Sequence, residues 1–279
     1  MEDIMIMRVS KFAKLYRAEY LEYLDSSPSE IRTHWFQAFR FFISRIIQGR
    51  HEQTTRVICQ MIDDVLCNHL DCVNPSGITN IRTKDLHDSK QAFRDLTVDG
   101  RSYKKESDID LLFGAEVKKR GYNTLGLLRY IAELPAGNIV QYSIDEIGKG
   151  RLIPHYRKLN SFYGVGSVAV STYLRDLVDL YYNEIGNHVT SIEEIAHIQP
   201  VDASVKRVAM EAGIKFAREV DLYQGRNIVE ECRRIGPSNR LPIEFSQGAS
   251  WICSNSFEAA LKLLSEKNLG DDLSEKFRK

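Results

Sequence analysis

Apolar residues recur every three to four positions along most of this chain, the spacing that gathers them on one face of an α-helix. Residues 9–24 place Phe12, Leu15, Tyr16, Tyr20 and Tyr23 on such a face. Residues 30–47 carry Trp35, Phe36, Phe39, Phe42, Ile43, Ile46 and Ile47, a stripe wide enough to be largely buried. Val57, Ile58, Met61, Ile62, Val65 and Leu66 continue the pattern over 52–67. It returns over 107–119, 123–134, 138–148, 154–161, 167–182, 203–213, 219–234 and 255–267. No alternating run compares with these segments, so the pattern predicts an all-α fold. Residues 71–104, with Pro75, Gly77, Gly100 and much polar material, read as loops around one short helix.

Composition narrows the picture modestly. The 279 residues are enough for one substantial core or two small lobes. Lys+Arg and Asp+Glu both number 38, so no global charge draws the chain toward nucleic acid. Local clusters do stand out. Lys149, Arg151, His155, Arg157 and Lys158 fall together without an acid among them, and Arg226, Arg233, Arg234 and Arg240 form a second group diluted by Glu230 and Glu231. The N-terminus lacks the apolar run of a secretory leader, and no stretch approaches the ~18 apolar residues of a membrane span. A cytoplasmic chain without membrane contact is expected. Five scattered cysteines, Cys59, Cys67, Cys72, Cys232 and Cys253, fit a reduced compartment better than a disulfide scaffold. His69 beside Cys67 and Cys72 hints at zinc, but a fourth ligand is missing and buried free thiols are the simpler reading.

Candidate chemistry concentrates in residues 162–207. Phe162-Tyr163-Gly164-Val165-Gly166 sits between two helical patterns, and Ser167 caps the second. Glycines there let backbone approach an anion, with amides of the following helix aimed at it. Downstream, Pro200-Val201-Asp202-Ala203-Ser204-Val205-Lys206-Arg207 puts a carboxylate at the start of another helix. Alone, Asp202 is an ordinary N-cap and the glycines an ordinary turn. Together they resemble the signature of the helix-hairpin-helix DNA glycosylase superfamily, the endonuclease III-like base-excision enzymes. Leu174-Arg175-Asp176 and the Gly121-Tyr122…Leu125 segment add to the likeness.

The resemblance implies two helical lobes around a DNA-binding cleft. Here these would be residues 28–205, with the hairpin at about 154–182, and residues 1–27 combined with 206–279. It implies a protein that flips a damaged or modified base from double-stranded DNA and cleaves its N-glycosidic bond. Asp202 would be the catalytic carboxylate, stabilising positive charge on the sugar and orienting water. Gly164, Val165, Gly166 and Ser167 would anchor a phosphate, with Lys149, Arg151 and Arg207 as further backbone contacts. In relatives the hairpin often holds a monovalent cation through backbone carbonyls. Gln48, Arg50 and His51 align with the wedge loop that fills the vacated stack, a segment that reads equally as an exposed polar turn. Trp251, Gln247 and Trp35 are candidates for the base pocket, although a tryptophan on an apolar helix is more often core. Tyr181, Tyr182 and His188 would shape its rim.

Three departures refine that expectation. The family's Val-Asp-Thr-His-Val is Val-Asp-Ala-Ser-Val here. Bifunctional members carry a nucleophilic lysine two positions after the last hairpin glycine, where this chain has Val168. A monofunctional glycosylase using water follows, with neither Lys158 nor Lys206 indicated as a substitute. Only Cys232 and Cys253 follow Asp202, too few for the superfamily's iron–sulfur cluster. The expectation is therefore a monomer with no organic cofactor and no catalytic metal. The spacing from Val168 to Asp202 resembles that of the archaeal oxidised-guanine glycosylases. The rival reading is a non-catalytic helix-hairpin-helix DNA-binding protein.

Overall fold

The structure is a computed structural model that describes residues 2–46, 52–74, 76–97, 106–114, 116–119, 122–162, 164–216 and 221–255. It is helical apart from one two-stranded hairpin. The chain divides into two compact units, Ser26–Tyr173 and Met1–Asp25 with Leu174–Lys279. Residues 174–205, assigned from sequence to the central lobe, thus fall in the unit that contains both termini.

The terminal unit opens with α1 (Glu2–Lys11) and α2 (Ala13–Leu24), so the periodic run over 9–24 is two helices with a break at Phe12. The other unit begins at α3 (Pro28–Thr33). Ser27 caps it and Glu30 reaches back to the Ser27 amide at 2.7 Å, a reciprocal capping box with proline in the first turn. The backbone becomes extended at His34 and restarts as α4 (Trp35–Ile46), whose described face is buried almost all round. Phe39, Phe41 and Phe42 on α4 are fully buried and form the heart of this unit with Tyr173, whose ring meets that of Phe42 edge-on at 4.8 Å.

Then follow α5 (Glu52–His69), α6 (Thr83–Asp95) and α7 (Glu106–Phe113). The helix at α6 is longer than the short one expected in this polar stretch, anchored by buried Leu86, Ser89 and Phe93. Strands β1 (Glu116–Lys119) and β2 (Tyr122–Leu125) pair antiparallel, with Glu116 opposite Leu125. That corrects the helical reading of 116–119 and 123–125. The unit continues through α8 (Leu127–Ala132), α9 (Ile139–Gly148) and α10 (Leu152–Asn160), and α4 packs on α3, α5 and α9.

Helix α11 (Ser167–Leu180) is buried from Val170 through Asp179, as expected of a central helix apolar or paired on every side. Beyond it come α12 (Tyr182–Ile185), α13 (Ile192–His197), α14 (Ala203–Glu211), α15 (Asp221–Ile235) and α16 (Arg240–Asn255). Helix α16 is the hub of the terminal unit and packs on α1, α2, α14 and α15. A Cβ on Gly248 would lie 2.0 Å from the Val9 carbonyl oxygen, so only glycine permits the approach to α1. The periodicity placed no helix at 240–255, and the one expected over 255–267 lies almost wholly outside the described residues. Among the described residues, no helix is long and apolar enough to cross a membrane.

Candidate functional site

Two exposed features carry the candidate chemistry, one in each unit. In the Ser26–Tyr173 unit, α10 ends at Asn160 and the chain turns before α11. Gly164 has φ +78°, a left-handed conformation that favours glycine, and a Cβ there would sit 3.3 Å from Leu111. Its neighbour differs. No protein atom lies within 4 Å of a Cβ built on Gly166, and its φ is not positive. The fold itself therefore does not require glycine at 166, and the backbone opening the fourteen-residue α11 stands clear on that side. Phe162, tucked against the Tyr130 ring at 4.7 Å, and buried Val165 hold the turn from within. The carbonyls of Leu159, Phe162 and Gly166 each accept a chain amide, so a monovalent cation here would use second lone pairs. Val168 lies within α11, its carbonyl accepting the Thr172 hydroxyl at 2.9 Å, and supplies no nucleophile.

The basic cluster upstream is weaker than its sequence suggests. Glu146, four residues before Gly150, forms ion pairs with both Lys149, at 3.7 Å, and Arg151. His155 is buried, its Nε2 lying 2.8 Å from Ser143 Oγ, which lies 2.9 Å from the Tyr173 hydroxyl. Burial lowers the His155 pKa to about 4, so the ring is neutral at pH 7 and cannot meet a phosphate. Arg157 and Lys158 are the exposed cations left, with the Lys158 ammonium 5.5 Å from the centroids of Tyr130 and Phe162. Gln48, Arg50 and His51 lie outside the described residues.

In the terminal unit, buried Pro200 and Val201 lead to Asp202, which is exposed. Its Oδ1 accepts the Val205 amide at 2.7 Å, the N-cap bond of α14. Its Oδ2 makes no bond among the described residues. The start of α14 is held from α16, where Cys253 Sγ donates to the Ser204 carbonyl at 3.4 Å. Sequence gave no sign of that support, which joins residues 49 positions apart. Arg207 is exposed one turn along α14, and the Lys206 ammonium lies 5.7 Å from the Phe216 ring centroid.

The three base-pocket candidates are core residues. Trp35 is buried and donates from Nε1 to the Asn74 carbonyl at 2.8 Å. Trp251 stacks on Phe12 with centroids 5.3 Å apart. Gln247 is fully buried, its amide donating to Asp179 at 3.1 Å and Asp176 at 3.3 Å. Each is buried and engaged in an internal contact, which leaves no face open to a base. Gln247 instead belongs to a sealed polar cluster. Arg175 and Asp176 are paired at 2.8 Å with both side chains fully buried, and the Tyr16 hydroxyl donates to Asp176 at 2.6 Å while accepting from Arg175. Burial works against the Arg175 charge, yet Asp176 beside it more than compensates and raises the guanidinium pKa. Arg17 grips Asp179 through two bonds of 2.7 and 2.6 Å.

The remaining expectations scatter. Tyr181 is buried, Tyr182 lies under the Arg240 guanidinium at 5.1 Å, and His188 is exposed. In the second basic group, Arg226 pairs with Glu230, Arg234 with Glu231, and Arg240 with Glu244 and Asp179. Arg233 donates to Asn239. No cluster of three or more His, Cys, Asp or Glu able to hold a metal ion occurs among the described residues. Comparison with protein families, with curated proteins and with solved structures finds no match to this chain.

Proposed function

We propose that this protein is a DNA glycosylase that hydrolyses the N-glycosidic bond of a damaged or modified base in double-stranded DNA. The observation that carries the reading is Asp202, an exposed carboxylate fixed at a helix start by one oxygen while the other is unbonded among the described residues. Cleavage of a deoxynucleoside bond builds positive charge on the sugar, and a fixed carboxylate stabilises that charge and orients water. Capping and catalysis are compatible here, because the cap bond holds the group that would act. The Gly164–Gly166 turn supports the phosphate-anchoring half of the reading: Gly166 has no internal reason to lack a side chain. Val168 supports a monofunctional reaction, since no amine stands there to attack the sugar.

The absence of an open aromatic face at Trp35 and Trp251 favours a second reading, a DNA-binding protein without chemistry. One experiment separates them. Duplexes carrying a panel of oxidised, alkylated, deaminated or bulky modified bases are incubated with the protein, then split with and without hot alkali. Strand breaks only after alkali support the monofunctional glycosylase and identify its base. Breaks without alkali overturn the role given to Val168, and tight binding with no release favours the non-catalytic reading.

A further inference from the structure

The end of α5 holds a pair of thiols that the reading from sequence treated as buried free thiols. Cys67 is in fact exposed in the last turn of α5, and Cys72 is half-buried five residues on. Between them the chain reverses. The Leu70 amide still bonds the Leu66 carbonyl at 2.7 Å, and the Cys72 amide already turns back to the Leu70 carbonyl at 2.9 Å. This reversal sets Cys72 beside Cys67, whose thiol is among the groups that act on it. The loop beyond is fastened to the same unit, because the Trp35 indole donates to the Asn74 carbonyl at 2.8 Å and His34 Nε2 lies 3.2 Å from the Val73 carbonyl. Two thiols five residues apart across a chain reversal, with one open to solvent, can join within the range a disulfide spans.

We infer that Cys67 and Cys72 are a dithiol that a peroxide converts to an intramolecular disulfide, tying the end of α5 to the 71–79 loop. The exposed Cys67 reacts first. Its thiolate attacks a peroxide oxygen, the O–O bond breaks, an S–OH forms on Cys67, and the departing hydroxide takes a proton to become water. Cys72 sulfur then attacks the Cys67 sulfur, the S–S bond forms, the S–O bond breaks, and the second hydroxide leaves as water with the Cys72 proton. One hydrogen peroxide is reduced to two waters as two thiols become one disulfide. The order follows from surroundings as well as exposure. Burial, the neighbouring Cys67, and the carboxylates of Asp63 and Asp71 hold the Cys72 thiol well above the usual thiol range, which suits the slower, resolving partner.

The sequence supplies a clean assay. Cleavage before aspartate separates residues 64–70, which contain Cys67, from residues 71–84, which contain Cys72, and leaves Cys59 in neither. The full-length protein is treated with hydrogen peroxide, denatured, alkylated, digested and weighed without reductant. The expected product is the two peptides joined, lighter than their sum by two hydrogens and parted by dithiothreitol, with Cys59, Cys232 and Cys253 alkylated as before treatment. Cys67→Ser and Cys72→Ser should each abolish it, and Cys72→Ser should leave an oxidised but unlinked Cys67. Recovery of both wild-type peptides alkylated would overturn the inference. So would a wild-type Cys67 carried to sulfinic acid beside a free Cys72.

Discussion

The terminal unit contains two carboxylates in opposite circumstances. Asp176 is sealed in the protein, bonded to Arg175 and Tyr16, while Asp202 is exposed at the head of α14 and, among the described residues, bonded through one oxygen. The same contrast divides the other unit, where His155 is buried against Ser143 and Gly166 faces open space. The sealed Arg175–Asp176 pair is occupied in holding helices together, although the neighbouring buried Gln247 Oε1 has no hydrogen-bond partner among the described residues. The groups that the proposed chemistry uses are at the surface. Substitutions in the first class should cost stability, and substitutions in the second should cost function while the fold survives.

The largest expected effect is at the sealed pair. Asp176→Ala would leave the Arg175 charge buried without its partner, a defect that typically costs about 3–5 kcal/mol. Urea unfolding should show a midpoint far below that of the wild type, or no folded protein at all. An unchanged midpoint would break the contrast at its strongest point.

His155 gives a pH signature of the same kind. Its folded pKa of about 4 lies below the ordinary value of 6.5, so the unfolded chain takes up this proton more readily. Stability from a neutral His155 is therefore complete above about pH 6.5 and is lost as pH falls toward 4, by about 3 kcal/mol. Asp63 acts in the opposite sense. Burial, partly countered by Arg40, raises its pKa from 3.8 to about 6, so it adds stability as pH falls through that range. The difference between wild type and His155→Gln, measured by urea unfolding from pH 7 to pH 4, isolates the histidine. The variant should lose less stability across the window.

At the exposed turn the expectation reverses. Gly166→Ala meets no protein atom, so its unfolding midpoint should move by no more than a capping change, within about 1 kcal/mol. If a phosphate approaches this backbone, the methyl group should nevertheless weaken binding to duplex DNA several-fold at fixed salt. Equal affinity would remove the turn from the proposed interface.

Most of the helical framework was legible because packing in a helical protein follows apolar spacing, and α2, α4, α5, α9 and α11 each announced themselves by it. The exceptions have identifiable causes. Helix α16 was hidden by Pro242, Gly248 and serines at 246, 250 and 254, residues that read as loop. Proline is tolerated in its first turn, and Gly248 is demanded by the Val9 backbone, a partner more than two hundred residues away. The β-hairpin is brief, and its charged residues obscured the alternation, although two positions, one of them Gly121, separate the paired strands, the commonest hairpin spacing. The candidate site was legible only where it is local. The cap bond of Asp202 and the turn at Gly164 follow from nearby residues. The pairing of Lys149 and Arg151 with Glu146 was also local, and looking one helical turn upstream of the cluster would have found it. The burial of Trp35, Trp251 and Gln247 depends on helices distant in sequence, so periodicity could suggest core for them but could not name their partners.

The most direct test compares wild type with Asp202→Asn on the base that the panel identifies. Asparagine keeps a side-chain oxygen for the Val205 amide, so folding and DNA affinity should be preserved. Release of the base in a single turnover should fall by at least a hundredfold. Release at the wild-type rate by a folded, DNA-bound Asp202→Asn protein would contradict the account, because the exposed carboxylate would then be a helix cap and nothing more.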